Sequence, residues 1–569
     1  MLGFADDDWL EPPDRVAPVH RMYYNDVKTR ASTGLRGGFA LDHGRSPIIS
    51  RRRHARSITR NASLIFGATL VSRLAGFVRE IAMALMFGTS AGTDAWLIAS
   101  VVPNLLFSTI NGALATTIVP VLTDGERDHS RRSMNHFVQE LFTVVVLISL
   151  ALMVLGELFA PFLIHAIAPG FARTPHEDRL ALIMTRWMIP TILMWALAGL
   201  AIGLLQSRED YLPAAMSPVV INVVRIATII ILGSIWHIVG VAIGFSLAVL
   251  SQLLLLIPSL RHTGYRLKFR WRFGHPLLRR IGQIAVPFFL SSSVGTIGLI
   301  VDRILASFLV VGSLAALNYS FVLVQLPISL LISSLSTPIY TRLAQYHSRR
   351  DMETFNALAI QGFRLVLLMI VPMTAWFLIL RVPILRLIYQ HGAFSNRSTA
   401  LSQGTLFYFA VGLPGFATAF YLQRLFFATQ DTTHPARFSV ITILINIVGD
   451  LLLVHPLKAD GLALATGGAQ WVNAFLLARL AFQSDSQRQS SLLRPLASVG
   501  VGGLVAASVT EAVARALGLA HWFGVAALIG GLALVAVISG AVYLFVLALL
   551  HYPELDRLRY QLYRSLNPS

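Results

Sequence analysis

The sequence contains no cysteine among its 569 residues, and only 13% of the residues are charged. The absence of cysteine excludes disulfides, thiolate catalysis and cysteine-ligated metal sites. The shortage of charge is unusual, because a soluble chain carries about a quarter charged residues. The sequence also lacks a Walker A motif and any glycine-rich nucleotide loop, so it offers no basis for direct coupling to a nucleotide. Together these features argue against a soluble enzyme.

Apolar segments dominate the sequence from about Ser63 to Leu550, and 55% of the chain is hydrophobic. A membrane-spanning helix needs about 20 mostly apolar residues, and about fourteen segments meet that length. They lie near residues 63–86, 95–120, 137–164, 181–206, 214–235, 237–258, 282–309, 315–340, 358–380, 404–427, 436–455, 459–482, 494–514 and 522–550. We therefore predict an all-α polytopic membrane protein.

The formal net charge of +18 raises the question of nucleic-acid binding, which the positions of the charges answer. The loop near residues 259–281 carries seven arginines and lysines and no acidic residue. If the N-terminus lies inside, this loop and the other arginine-rich loops all fall in the cytoplasm, as the positive-inside rule requires. We predict a multi-pass inner-membrane protein with both termini cytoplasmic. Its basic loops attract anionic membrane lipids, and no nucleic acid is expected as a partner.

A short motif recurs in the two halves of the sequence. Val-Arg-Glu-Ile stands at residues 78–81 in the first predicted span, and Val-Asp-Arg-Ile at 301–304 in the seventh. A proline follows each copy, Pro103 in the first half and Pro327 in the second. Six spans separate the copies, so the halves share one orientation. Parallel repeats of this kind occur in secondary transporters, with the substrate site between the halves.

These patterns divide the chain into five parts. Residues 1–60 are polar, have no apolar signal-peptide core and end in an arginine cluster, so we predict a disordered basic cytoplasmic tail. The other predicted parts are an N-terminal six-helix lobe, a basic cytoplasmic linker, a C-terminal six-helix lobe, and two extra helices with a cytoplasmic tail. Their boundaries are residues 61–260, 261–281, 282–483 and 484–569.

Charged side chains inside spans are costly, so each one is a functional candidate. The first span carries Arg73, Arg79 and Glu80, and Asp94 and Asn104 follow in the second span. Two arginines that face one cavity suit a diphosphate, because guanidinium groups bind phosphate oxygens in pairs. The alternative is an internal ion pair that only locks helices together, either Arg73 with Glu80 or Arg79 with Asp94. The sequence leaves both interpretations open.

A second polar cluster is predicted between later spans. Asn446 and Asp450 lie one turn apart on the eleventh span, and Thr466 of the twelfth lies at a similar depth. Carboxylate, amide and hydroxyl oxygens suit a hard cation such as Na⁺. Asp302 is a candidate for a second carboxylate. The alternative is an Asn–Asp hydrogen bond between helices, and residue spacing does not choose between the two.

Several motifs then follow one another in a specific order. The first span begins with Ser-Arg-Leu-Ala-Gly-Phe-Val-Arg-Glu at residues 72–80. Further motifs stand at 93–95, 103–106, 112–113, 119–120, 306–309, 312–313, 389–394, 430–432, 435, 456–458 and 461–463. The ordered set resembles the MurJ (MviN) family of lipid II flippases over about residues 61–550.

The resemblance implies a fold of the MOP exporter superfamily. Two six-helix lobes surround a cationic central cavity, and two added C-terminal helices form a groove for a lipid tail. It also implies a transporter rather than an enzyme. The expected activity moves lipid II, undecaprenyl-diphosphate carrying a disaccharide-pentapeptide, from the inner to the outer leaflet by alternating access, coupled to a cation or to the membrane potential. This activity serves peptidoglycan synthesis and hence the cell wall and cell shape.

The resemblance also points to individual residues. Those that match positions of functional importance are Ser72, Arg73, Arg79, Asp94 and Asn104. Those that match a sodium site are Asp302, Asn446, Asp450, Thr466 and, through its carbonyl, Leu462. No cofactor other than this Na⁺ is expected. Phe107 and Val322 stand where some members have cavity arginines, so Arg303 becomes a further candidate for the diphosphate.

Three other functions stay open. A related flippase would carry another polyprenyl-linked oligosaccharide, such as an exopolysaccharide repeat, and genome neighbourhood would distinguish it. A cation-coupled small-molecule exporter would have no need for the last two predicted spans. A membrane-embedded glycosyltransferase would show acidic residues in an outer loop near the first spans, where the loop at 87–94 offers only Asp94.

Overall fold

The computed structural model describes residues 47–482, 486–522, 524–557 and 559. Some helical residues are described by their backbone only. They are residues 47–64, 106–113, 115–116, 126, 286–296, 486–491 and 520. Every regular element in the described ranges is helical, which confirms the predicted fold class. The first helix begins at Pro47, within the predicted tail of residues 1–60, and residues 1–46 lie outside the described residues.

The helices of the N-terminal half follow one another with short connections. They are α1 (Pro47–Phe87), α2 (Ala91–Ala99), α3 (Val101–Asp128), α4 (Arg131–Ile167), α5 (Pro175–Met188), α6 (Thr191–Gln206) and α7 (Leu212–His262). Helix α7 has 51 residues, and its backbone leaves the helical region at Trp236 and His237. A straight helix of that length would measure about 75 Å, so α7 contains two successive spans, the fifth and sixth of the prediction.

The C-terminal half is built in the same way. Its helices are α8 (Pro276–Ala306), α9 (Ser313–Pro327), α10 (Ser333–Ser348), α11 (Met352–Ile379), α12 (Arg381–Ile388), α13 (Asn396–Ala428), α14 (Thr433–Leu457), α15 (Ala459–Phe482), α16 (Ser486–Ala516) and α17 (Val525–Leu549). A π-helical turn, Ile328–Ile332, joins α9 to α10 directly after Pro327.

Nine helical segments of the described residues are long and apolar enough to cross a membrane, and one of them is the bent helix α7. The remaining predicted spans coincide with α1, α2–α3, α8 and α15. On the outer faces of the helices, large apolar side chains are 69% to 72% exposed, among them Phe162, Leu452, Leu504 and Val537. Apolar surface on this scale faces lipid rather than water. The chain is therefore an integral membrane protein.

The linker between the halves, residues 263–275, packs against the start of α4. The carboxylate of Glu140, which is 4% exposed, accepts hydrogen bonds from the Arg270 Nε (3.3 Å) and from the backbone N–H of His275 (3.0 Å). The backbone N–H of Arg270 donates to Thr143 Oγ1 (2.9 Å). His275 caps α8, since its Nδ1 accepts from the backbone N–H of Leu277. Burial lowers the pKa of His275 from its ordinary value, which favours the neutral ring that this cap requires.

The two halves also meet at the helix ends opposite the linker, in a region that we call the seam (residues 85–94, 307–315 and 389–398). The backbone N–H of Ala393 donates to the Leu85 carbonyl (2.8 Å). Gly312 has a φ of +94°, and a Cβ atom at this position would lie 2.6 Å from the Thr89 carbonyl oxygen. Only glycine combines this backbone conformation with so close an approach. The seam therefore holds one end of the molecule closed.

Candidate functional site

Two neighbouring cavities share part of their walls, since Leu299, Arg303 and Asn318 line both. The first lies between the halves, whereas every residue that lines the second belongs to the C-terminal half. The first cavity measures about 420 Å³ and is also lined by Arg79, Glu80, Trp96, Ser100, Asn104 and Arg225. The second measures about 400 Å³ and is also lined by Asp302, Phe321, Gln325, Asn446, Leu462 and Thr466. The tertiary structure thus brings together residues from both predicted clusters.

Arg79 is held in place from two directions. Its Nη2 and Nε atoms lie 2.5 and 3.2 Å from Glu80 Oε1, and its Nη1 donates to Asn222 Oδ1 (3.0 Å). The other oxygen of Glu80 accepts from Asn318 Nδ2 (3.3 Å). Glu80 therefore pairs with Arg79, its neighbour in the sequence. This pair differs from both ion pairs that the sequence left open, Arg73 with Glu80 and Arg79 with Asp94. These contacts connect α1 to α7 and α9 and fix the Arg79 guanidinium at the cavity wall.

Arg225 is a cavity residue that the sequence analysis did not select. Its guanidinium carbon lies 4.8 Å from the ring centre of Phe245 and 5.6 Å from that of Trp96. Such cation–π contacts stabilise a cation in an apolar environment. With Arg79 and Arg303, it brings three arginines to a cavity whose lining includes one carboxylate, Glu80. The signal in the sequence was an arginine in the middle of an apolar span.

Ser72 and Arg73 lie elsewhere on α1. The carbonyl oxygen of Ser72 accepts from Asn222 Nδ2 (3.1 Å), beside the Arg79 contact. Arg73 points toward α10, where its Nη2 donates to Ser333 Oγ (3.3 Å). One turn further along α10, Arg424 donates to Thr337 Oγ1 (3.3 Å). Neither Ser72 nor Arg73 lines the two cavities in this conformation, and their contact with substrate stays a prediction.

Asp94 has a different position from that of the cavity residues. It is 4% exposed, and its two carboxylate oxygens accept from the backbone N–H groups of Gly312 (2.6 Å) and Ala315 (2.8 Å). It therefore caps the N-terminus of α9, where the helix dipole favours a negative charge. Because Asp94 belongs to the N-terminal half and α9 to the other, this cap is part of the seam. Its predicted contact with substrate would require these bonds to open.

Four of the five candidate cation ligands line the second cavity, and the fifth, Asp450, is fully buried beside Asp302. The carboxyl groups of Asp302 and Asp450 lie next to each other. Apart from this contact, Asp302 Oδ1 and both oxygens of Asp450 are buried without a hydrogen-bond partner among the described residues. Asn446 Nδ2 donates to Thr466 Oγ1 (3.3 Å), which donates to the Leu462 carbonyl (2.8 Å). Asn446 thus donates to Thr466, and these two hydrogen bonds are found in place of the Asn–Asp bond that the sequence left open.

The donor set at this site favours one class of metal. The described residues include no group of three or more His, Cys, Asp and Glu side chains that could hold a metal ion. The cluster instead offers carboxylate, amide, hydroxyl and carbonyl oxygens, which suit a hard cation. Buried carboxylates without partners are unfavourable unless a cation or a proton neutralises them. The orphaned oxygens of Asp302 and Asp450 therefore fit Na⁺.

The family profile and the similar proteins all point to the same family. The profile of the family described as lipid II flippase MurJ matches residues 83–547. A probable lipid II flippase MurJ of Rhizobium meliloti is 30% identical over 465 residues, which cover 79% of this chain and 86% of that protein. The protein of the same description from Rickettsia prowazekii is 28% identical, covering 74% of this chain and 83% of its own length.

Solved structures show the same fold. An inward closed conformation of lipid II flippase MurJ aligns with a TM-score of 0.70 and 23% identity, covering 84% of this chain and 98% of that one. An inward-facing MATE family transporter of the MOP superfamily aligns with a TM-score of 0.61 and 14% identity, over 76% of this chain and 99% of that one. With the family profile covering most of the sequence, this chain belongs to the lipid II flippase MurJ family.

Proposed function

We propose that this chain is a flippase that moves lipid II, the undecaprenyl-diphosphate-linked peptidoglycan precursor, from the inner to the outer leaflet. Family membership and the names of the relatives support the substrate. The observation that carries the proposal is the first cavity, where Arg79, Arg225 and Arg303 face a space whose lining includes one carboxylate. A diphosphate needs this excess of positive charge in a membrane, because an unpaired anion is very costly there.

The arrangement of the arginines supports recognition of a diphosphate. Arg79 is anchored by Glu80 and Asn222, and Arg225 is stacked on aromatic rings, so neither side chain must be ordered when substrate binds. Their guanidinium groups present pairs of N–H donors that match phosphate oxygens. Asn104 and Asn318 add amide groups to the same wall, for the sugar or the phosphate.

We also propose that transport is coupled to a cation. Asp302, Asp450, Asn446, Thr466 and the carbonyl of Leu462 would hold Na⁺, whose charge would offset the two buried carboxylates. Arg303 follows Asp302 in the sequence and lines both cavities. The charge state of the acidic pair therefore acts on the same arginine that faces the diphosphate, which gives a physical basis for coupling.

Localisation in the inner membrane, with both termini in the cytoplasm, is part of the proposal. It is supported by the seven basic residues and the absence of acidic ones in the loop at 259–281. In this orientation the seam lies on the outer side, so the cavities would accept the headgroup from the cytoplasmic leaflet. Opening of the seam would then release it to the outer leaflet.

The proposal is tested by arginine replacement in cells and in vesicles. We expect Arg79→Ala, Arg225→Ala and Arg303→Ala to abolish growth of a strain depleted of its own flippase, and to stop lipid II translocation in proteoliposomes. The matched control is Arg186→Ala, because Arg186 is 50% exposed and pairs with Glu157. Normal lipid II translocation by the three cavity variants, at normal protein levels, would refute the proposal. Accumulation of another lipid-linked glycan on depletion would identify a different polyprenyl-linked substrate.

A further inference from the structure

A third cavity, of about 500 Å³, lies at the beginning of the linker, apart from the residues of the proposed transport site. It is formed where the loop before α4, the loop after α6 and the end of α7 come together. The residues that matter for its chemistry are His129, Arg131, Arg208, Asp210, His262 and Tyr265. The lining therefore holds two arginines and two histidines against one acidic side chain, and this excess of basic groups favours an anion.

The linker positions both arginines. The guanidinium carbon of Arg208 lies 5.0 Å from the ring centre of Tyr265, which is 8% exposed. The Arg131 guanidinium lies against Gly264, because a Cβ atom added to Gly264 would come within 2.8 Å of Arg131 Nη2. Gly264 also has a φ of +78°, which other residues rarely adopt. The two cations are thus arranged before any ligand binds, which reduces the entropy lost on binding.

The surroundings of the cavity indicate the kind of anion. It lies at the ends of the apolar helices α4, α6 and α7, and the ends of membrane-spanning helices adjoin the headgroup region of a bilayer. Helix α4 begins at Arg131 and has no acidic residue in its first turn, so its positive end adds to the field of the arginines. Two guanidinium forks, one at the start of α4 and one in the loop after α6, match the several oxygens of a phosphate better than the two of a carboxylate.

We propose that this cavity is a binding site for a phosphate group, with Arg131 and Arg208 as its principal ligands. The phosphate belongs either to the headgroup of an anionic phospholipid or to a soluble phosphate. A bound phosphate connects the start of α4, the end of α6 and the linker between the two halves. The proposal is independent of the transported substrate, since none of these residues lines the two central cavities.

The test compares the double variant Arg131→Gln/Arg208→Gln with the control Arg266→Gln/Arg279→Gln in the full-length protein. The control removes the same charge from exposed arginines outside the cavity. In one arm, inorganic phosphate is titrated into protein in dodecyl maltoside, and binding is measured by calorimetry. In the other arm, thermal stability is compared between nanodiscs that contain phosphatidylglycerol and nanodiscs of phosphatidylcholine alone.

We expect the cavity variant to bind the phosphate source about tenfold more weakly or worse, and the control to behave as wild type. Saturable phosphate binding that only the cavity variant loses supports a soluble phosphate. If phosphatidylglycerol stabilises the wild-type protein but inorganic phosphate does not bind, and only the cavity variant loses this stabilisation, the ligand is a lipid headgroup. Equal responses of the two variants in both arms, or no response of wild type, would overturn the proposal.

A second double variant keeps the test valid if the double glutamine variant does not fold. Arg131→Lys/Arg208→Lys retains both charges and loses the fork geometry, so we expect binding between that of wild type and that of the glutamine variant. If the lysine variant bound phosphate as tightly as the wild-type protein, the guanidinium groups would not be the ligands that we propose. Neither readout depends on transport, so loss of phosphate binding with intact flipping, or the reverse, separates this site from the proposed function.

Discussion

Asp94 connects the two halves at the seam, and we expect its removal to loosen that closure. Its carboxylate accepts from two backbone N–H groups of the other half, at 2.6 and 2.8 Å. Hydrogen bonds to a charged group contribute about 1.5–3 kcal/mol each, so Asp94→Ala should destabilise the closed seam by roughly 3–6 kcal/mol. The lower value corresponds to on the order of a 100-fold change in the ratio of closed to open molecules. Asp94→Asn keeps one acceptor oxygen, and we expect roughly a tenfold change.

The assay uses a single cysteine, which is unambiguous because the native chain has none. Ser398 is 3% exposed and accepts a hydrogen bond from Thr89 Oγ1 (2.8 Å) across the seam. In a Ser398→Cys background, labelling by a membrane-impermeant maleimide reports the fraction of open seams when opening is fast relative to labelling. We expect Asp94→Ala to raise the labelling rate in proportion to the shift in this equilibrium.

The control for this experiment is Asp124→Asn, which removes an exposed carboxylate that pairs with Arg280 at the linker end of the molecule. Its labelling rate should equal that of the parent. If Asp94→Ala labelled no faster than the parent, although transport were lost, Asp94 would act on the substrate and not on the seam. That result would refute the capping argument and favour the original sequence-based prediction.

Three further predictions concern other parts of the chain. Asp450→Asn, compared with the loop variant Asp431→Asn, should weaken the Na⁺ dependence of lipid II transport in proteoliposomes, and equal Na⁺ dependence would count against the cation site. Because the pKa of His275 is lowered in the folded protein by burial, stability from this residue is present above its unfolded pKa, about 6.5, and is lost as pH falls below it. The protection factor of the Leu277 amide, its intrinsic exchange rate divided by the observed rate at the same pH, should therefore be lower at acidic pH, and His275→Asn should remove this difference. A cysteine at Trp271, which is 71% exposed in the linker, should label only after cells are permeabilised, because the linker is predicted to be cytoplasmic.

Much of the fold could be predicted because the bilayer imposes a length on every span. Segments of about 20 apolar residues identify helices whatever their neighbours are. The division of α7 into two spans was predicted for the same reason, although no loop separates them in the structure. The spacing of Asn446 and Asp450 likewise predicted that both side chains lie on the same face of α14, because residues four apart share a helix face.

The partners of the charged residues could not be predicted, because they come from distant segments. Asn222 is 143 residues from Arg79, and Asn318 is 238 residues from Glu80. Periodicity reports which face of a helix a residue occupies, but not which helix lies opposite. Arg225 was therefore not selected from the sequence, although it lines the first cavity and its guanidinium lies over the ring of Trp96.

The sequence by itself determined that the chain is helical, lies in a membrane, has a basic linker and carries ionisable groups inside its spans. These properties depend on local composition, because hydrophobic length and charge act on each segment separately. Only the tertiary structure decided that Asp94 caps a helix of the other half and that Glu80 pairs with Arg79. The same buried charge is equally suited to binding a substrate or to closing a seam, and the choice depends on which backbone groups the packed helices bring within hydrogen-bonding distance.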